Sequence, residues 1–439
     1  MVIAEAANPE WTSVPLLGWS HAHELTKQFD AHLVTHVRNK PAIERFGWSD
    51  GKQFTAMDTE VIDRPIYKLG VWLRGGNNLA WTITSALGSI TYPYFEYKIW
   101  RLFKSRLQSG EFDLVHRITP VSPTAPSYIA KKLKKLNIPY IVGPLNGGVP
   151  WPKEYRDLQI KEREWLSFVR GAYKLLPWYR AMRKHSSVLV AGSLATLQQL
   201  PDYTKDRSIY LPENAIDPER FPLREFEAEE QVSTPIKACF IGRLVPYKGA
   251  DIAIEAMAPL LKSGSLKYDI FGEGPEFEPL QKLIDKLELN QHVTLKGFVK
   301  NIELRKALPG YDLFVFPSVR EFGGGAVLEA MAMGIVPVIA DYAGPAELVT
   351  ESCGYKIKMG ARAQLVANLQ NTLRSITNNP HVLMEKKRAC VSRIKKLYTW
   401  EQKAKQMSEI YDWALGKAGR PDWGLLENDP MKTQKESTE

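Results

Sequence analysis

The sequence predicts an α/β protein of two doubly wound domains, each a parallel sheet wrapped by helices. Two stretches repeat one rhythm, a short apolar run, a turn and a longer amphipathic segment, which is the pattern of parallel strands joined by helices. Between them, roughly at 214–235, lies a linker-like segment with Pro218, Pro222 and Pro235 and the acids Glu225, Glu227, Glu229 and Glu230. The length of 439 residues suits two domains better than one.

Taken in order, strands are expected at 2–6, 31–36, 113–116, 140–143 and 187–191 in the first half. In the second half they are expected at 237–241, 267–271, 293–296, 312–316 and 336–340. The chain then reads as three helices near 361–376, 380–396 and 400–416, followed by a polar tail. Domains are therefore expected at 1–212 and 213–397, with the 400–416 helix packing back on the first and 417–439 as a partly disordered tail.

With 44% hydrophobic and 24% charged residues, the composition is that of a globular protein and excludes a disordered or fibrous one. Cys239, Cys353 and Cys390 are widely spaced, form no zinc pattern and suit a reducing compartment. No apolar run approaches the roughly 20 residues that span a bilayer. The first ten residues hold two acids and no basic segment, so no secretory signal is expected. The net charge of +9 is lopsided: residues 1–210 carry 28 basic and 18 acidic residues (+10), the remainder 30 and 31 (−1). A basic first half suggests a surface that meets phosphate or anionic lipid; simple solubility is the alternative.

Three turns in the second half carry the chemistry. Gly242-Arg243-Leu244-Val245-Pro246-Tyr247-Lys248-Gly249 joins a strand to a helix. Its glycines admit a ligand to the backbone, the helix start is partly positive, and Arg243 and Lys248 offer a fork and a point charge. Such a set suits a diphosphate. Gly272-Glu273-Gly274-Pro275 follows the next strand in the same way, and turns from one sheet edge converge on one crevice. Arg320-Glu321-Phe322-Gly323-Gly324-Gly325-Ala326 opens a further helix, with Glu329 about one turn inside it. The amides of that bend are free to face an anion. For the two carboxylates, compensation of the helix dipole is the alternative to a ligand role.

The second half resembles the family-four retaining glycosyltransferases (glycosyl transferases group 1) of GT-B fold, densely over 209–355. The motifs are Pro212-Glu213-Asn214-Ala215-Ile216-Asp217, the Gly-Arg-Leu…Lys-Gly turn, Phe271-Gly-Glu-Gly-Pro, Lys296-Gly297-Phe298, the Glu321/Glu329 pair, Pro337-Val338-Ile339 and Gly344-Pro345-Ala346-Glu347. The resemblance implies two Rossmann-like domains facing across a cleft. It implies that Arg243 and Lys248 hold the donor diphosphate, with Gly242, Gly272 and Glu273 lining the same edge. Glu321 would meet the sugar hydroxyls, Glu329 the ribose, Gly323–Ala326 the phosphates, and Phe298 and Val299 the base. The donor would be a UDP- or GDP-linked sugar, with no essential metal and no other cofactor; the sequence has no Asp-x-Asp triplet. Phe322 comes one residue after Glu321, where the family places a Phe two residues on, and Ala215 replaces a common glycine. Both changes bear on the shape of the sugar pocket.

In the first half, Val115-His116 ends a strand where the family often has His-x-His; here Ile118 takes the second place. His116 is the candidate catalytic histidine, with a packed histidine as the alternative. His21 and His23, two apart on an expected helix, point to different faces, and His32 and His36, which could share a strand face, have no third ligand, so no metal site is expected. Gly143-Pro144-Leu145-Asn146-Gly147-Gly148-Val149-Pro150-Trp151-Pro152 makes a shaped loop whose Asn146 and Trp151 could meet a ligand. Residues 161–184 mix aromatic and basic residues, and 94–106 and 131–135 add further cations, in a way that suits an anionic membrane surface, with a solvated helix face as the alternative. No nucleic-acid recognition module is present.

The expected activity is thus transfer of a hexosyl unit to a glycan or lipid-linked acceptor in polysaccharide or exopolysaccharide assembly, cytoplasmic or peripheral at the inner membrane face. A sugar-nucleotide 2-epimerase and a degenerate binding protein are the alternatives.

Overall fold

The computed structural model describes residues 1–72, 81–161, 178–232 and 234–426. The chain divides into two compact units. The first takes Met1–Gly148, Gln159–Glu213 and Lys403–Pro421; the second takes Val149–Leu158, Asn214–Gln402 and the chain from Asp422.

The first unit is built on seven parallel strands: β1 (Val2–Ala4), β2 (Leu33–His36), β3 (Phe54–Met57), β4 (Val115–Thr119), β5 (Tyr140–Leu145), β6 (Val188–Ala191) and β7 (Ser208–Tyr210), in the order β3-β2-β1-β4-β5-β6-β7. Every residue of β1, β2, β4, β5 and β6 is buried, as expected of parallel strands covered on both faces. One covering element is the Trp81–Gln108 helix. Its Tyr92, Phe95, Ile99, Phe103 and Leu107 recur every three or four residues and enter a core with Val115, Ile129 and Tyr140, the spacing of one helix face.

Glu96 on that helix is fully buried. It accepts hydrogen bonds from Ser127 Oγ (2.8 Å), Tyr140 OH (3.1 Å) and the Ile129 amide (3.1 Å). Burial pushes its carboxyl up, while Arg117 beside it opposes the shift. It closes the start of the short Ala130–Lys135 helix, where a carboxyl group suits the exposed amides. At the far end of the chain, Tyr411 bonds His116 (2.8 Å), and buried Lys403 donates to the Pro212 carbonyl.

The second unit carries β8 (Ile236–Ile241), β9 (Leu266–Phe271), β10 (Val293–Gly297), β11 (Leu313–Phe316), β12 (Val336–Ala340) and β13 (Tyr355–Ile357), in the order β10-β9-β8-β11-β12-β13, all parallel. Helices at Arg362–Asn378, Val382–Leu397 and Trp400–Ala414 follow. All ten expected strands are present. The three not expected, β3, β7 and β13, are each an outermost strand of three or four residues. Among the described residues no helix is long and apolar enough to cross a membrane.

Candidate functional site

The strand order of the second sheet reverses between β8 and β11. In open α/β sheets, ligands bind beyond the strand carboxyl ends at such a reversal. The turns that leave these two strands are the Gly242–Gly249 turn and the bend ahead of the Gly325–Ala332 helix, so the site is set by topology before any side chain is considered.

The backbone locks the two turns together. Gly249 has φ 74°, and a Cβ there would lie 2.6 Å from the Pro317 carbonyl oxygen. The Tyr247 carbonyl accepts from Val319 N (2.9 Å) and Ser318 Oγ (3.2 Å). This clamp carries Lys248 to Glu321, and their side chains form an ion pair with both partners about four-fifths buried. The ammonium also lies 5.0 Å from the centroid of the Phe316 ring. The Arg243 side chain is exposed and has no hydrogen-bond or ion-pair partner among the described residues.

The third turn is keyed to the first. Gly242 N donates to Phe271 O (3.0 Å), Leu244 N to Glu273 O (2.8 Å) and Gly272 N to Gly297 O (2.8 Å). Glu273 accepts weakly from Phe298 N at 3.4 Å. The Phe298 ring is 71% exposed and Val299 is half-buried, so this end of the edge presents an open aromatic face.

At the glycine bend, Gly324 sits in the left-handed region (φ 60°, ψ 31°) and caps the Gly325–Ala332 helix. Its carbonyl accepts from Val327 and Leu328, and Gly323 O accepts from Asn214 Nδ2 (2.9 Å). The amides of Gly323, Gly324, Gly325 and Ala326 donate no hydrogen bond among the described residues, which suits an anion.

Glu329, partly buried on this helix, is pushed up to about 7 by loss of hydration, against the pull of Arg220. A carboxyl group with a raised pKa binds more protons in the folded state between its ordinary 4.5 and about 7. Its contribution is therefore complete below that window and lost as pH rises through it. Relative to Glu329→Gln, the wild type is expected to lose roughly 2–3 kcal/mol between pH 4.5 and pH 8. Urea unfolding across that range reads the difference; parallel curves would place a charged Glu329 in the folded protein.

His116 lies in β4, fully buried. Its Nε2 donates to Gly143 O (2.8 Å), so Nδ1 accepts from Tyr411 OH (2.8 Å). Burial holds its pKa down to about 4. Both nitrogens are thus engaged inside the first unit, the geometry of the packed-histidine alternative. Asn146, also buried, accepts from Ser193.

Sequence reasoning did not single out Arg320. It is 6% exposed, and its guanidinium stacks between Trp151 (4.8 Å) and Phe322 (5.0 Å). Trp151 also meets Tyr247 edge-on at 6.0 Å, and Tyr342 OH donates to Pro150 O (2.6 Å). The residues on either side of Glu321, and the one before Lys248, thus share one aromatic stack. Its only signal in the sequence was the Pro150-Trp151-Pro152 loop.

Both sheets have the strand order of a Rossmann-like α/β domain, and the fold they make up is GT-B. The fold matches HepE of Anabaena, solved in complex with UDP, with a TM-score of 0.60 at 15% identity over 94% of this chain and 98% of that one. It also matches sucrose-phosphate synthase of Thermosynechococcus elongatus, with a TM-score of 0.57 at 14% identity over 95% and 99%. Residues 223–397 match the glycosyl transferases group 1 family. WcaL of Salmonella typhimurium, a glycosyltransferase provisionally assigned to colanic acid biosynthesis, is 30% identical over 202 residues, 44% of this chain and 48% of WcaL. The amylovoran biosynthesis glycosyltransferase AmsK of Erwinia amylovora is 31% identical over 159 residues, 35% of this chain and 38% of AmsK. The chain spans about half, or less, of the length of these curated relatives.

Proposed function

We propose that the protein is a retaining glycosyltransferase that moves a hexosyl unit from a UDP- or GDP-linked sugar to a hydroxyl of a glycan or lipid-linked acceptor. The setting would be exopolysaccharide or glycolipid assembly at the cytoplasmic membrane face. The observation that carries this reading is the Lys248–Glu321 pair at the strand-order reversal, beside four amides without acceptors. The chemistry follows from the groups present. A leaving diphosphate develops charge, and fixed cations and main-chain dipoles stabilise it without reorganising. Lys248 and Arg243 supply the cations and Gly323–Ala326 the dipoles, so no metal is required. Glu321 takes sugar hydroxyls once the diphosphate engages Lys248, Glu329 takes the ribose, and Phe298 with Val299 takes the base. Retention follows from attack on the face the diphosphate leaves, with a phosphate oxygen receiving the acceptor proton. The relatives named for polysaccharide synthesis and the neighbour solved with UDP support the donor and acceptor classes.

Calorimetry with UDP and GDP tests the donor site. One of them is expected to bind, and Arg243→Ala to weaken it about tenfold, on the order of 1.4 kcal/mol. Because the Arg243 side chain has no partner to lose, the variant should unfold within about 0.5 kcal/mol of wild type. If neither nucleotide binds, the proposed function fails.

A further inference from the structure

Three helices of the first unit share a charge bias that the fold uses only in part: Arg183 is buried against Pro123 O and the Tyr179 ring, Arg106 pairs with Glu111, and Lys98 donates to Asp58 O. The described side chains of the Trp81–Gln108 helix (from Thr91), the Ala130–Lys135 helix and the Tyr179–His185 helix include four, four and three Lys or Arg, eleven in all, against one carboxyl group. That group is Glu96, buried and occupied in closing the start of the middle helix. The ratio across the whole chain, 58 to 49, would predict near parity. Lys131, Lys134 and Lys184 are exposed and form no ion pair among the described residues. The Ala130–Lys135 and Tyr179–His185 helices pack on each other, which brings these lysines onto one face.

Aromatic rings interleave with these cations. Tyr94 stacks on Tyr97 (6.1 Å), Tyr97 meets Tyr128 edge-on (5.8 Å), and Tyr128 meets Trp178 edge-on (5.6 Å). Trp178 is 44% and Leu102 57% exposed. Lys132 Nζ sits 4.6 Å from the Tyr128 centroid and 5.0 Å from that of Trp100. Trp and Tyr are enriched where water meets lipid, and clustered Lys and Arg are drawn to anionic headgroups. Single-stranded nucleic acid would need ring faces open for bases; here the Tyr128 face is covered by Lys132.

We infer that this helical face docks on an anionic phospholipid bilayer, its lysines on the headgroups and its exposed Trp178 and Leu102 in the interfacial layer. The inference rests on the proposed function only for its purpose, which is to hold the enzyme where a lipid-linked acceptor lies.

Vesicle co-sedimentation of the full chain tests it, with phosphatidylcholine vesicles against phosphatidylcholine–phosphatidylglycerol vesicles at low salt. Wild type is expected to bind only the anionic vesicles. Lys131→Ala/Lys134→Ala/Lys184→Ala is expected to lose about a hundredfold in partitioning, and Trp178→Ser several-fold. Calorimetry of UDP or GDP on the triple variant, expected to be unchanged, separates this surface from the donor site. Equal binding to both vesicle types, an unchanged triple variant, or displacement by single-stranded DNA in preference to lipid would each overturn the assignment.

Discussion

Lys248→Ala is expected to lower the rate of sugar transfer about 10²–10³-fold, the usual loss when one preorganised charge on a developing anion is removed. Loss of one partner from a pair about four-fifths buried leaves the other charge uncompensated and also destabilises the fold, by up to about 3 kcal/mol. Rates are therefore compared at a temperature where circular dichroism shows both proteins folded. Lys248→Arg should not restore the rate: a planar fork cannot take the place of a compact ammonium set 5.0 Å from the Phe316 ring. Initial rates with a UDP- or GDP-linked sugar decide it. Turnover equal to wild type would remove Lys248 from the chemistry.

Gly272→Ala should have the largest effect on stability, about 3–5 kcal/mol or failure to fold. The residue has φ +147°, and a Cβ would stand 1.8 Å from the Gly242 carbonyl oxygen. Relief would require separating two turns held by Gly242 N to Phe271 O and Gly272 N to Gly297 O, leaving partly buried backbone groups unpaired. Gly264→Ala provides the comparison. Its φ is +75° with nothing within 4 Å of the added carbon, so it carries only the left-handed strain of about 1–2 kcal/mol. Urea midpoints of the two variants should differ accordingly; similar losses would show that the turns yield independently.

Interior strands such as Phe240-Ile241 and Val338-Ile339 are legible because burial on both faces demands unbroken apolar runs. β3, β7 and β13 escape the same reading because each is an outermost strand whose short run is broken by a polar residue, Thr55, Ser208 or Lys356, so no unbroken apolar stretch marks it. Lys248 and Glu321 were visible because each sits at fixed spacing from glycines that shape its own turn. Arg320 was not, because its stacking partner Trp151 is distant in sequence and the contact exists only after folding. His116 marks the opposite limit: its position at a strand end suggested chemistry, whereas its setting depends on burial and on Tyr411, which no local pattern records. Most of the aromatic and basic stretch at 161–184 lies outside the described residues, and the charged face was recognised from the helices at 91–108, 130–135 and 179–185.

The outermost strands have a consequence for behaviour in concentrated solution. β3, β7 and β13 each offer only three or four residues of unpaired backbone, and the remaining border, β10, carries Lys296 in a contact with Asp269. A foreign polypeptide seeking to extend either sheet finds too short a template, and on β10 a charged one. Intermolecular strand addition, the common route from folded α/β proteins to insoluble assemblies, is thereby disfavoured by the dimensions of the borders themselves.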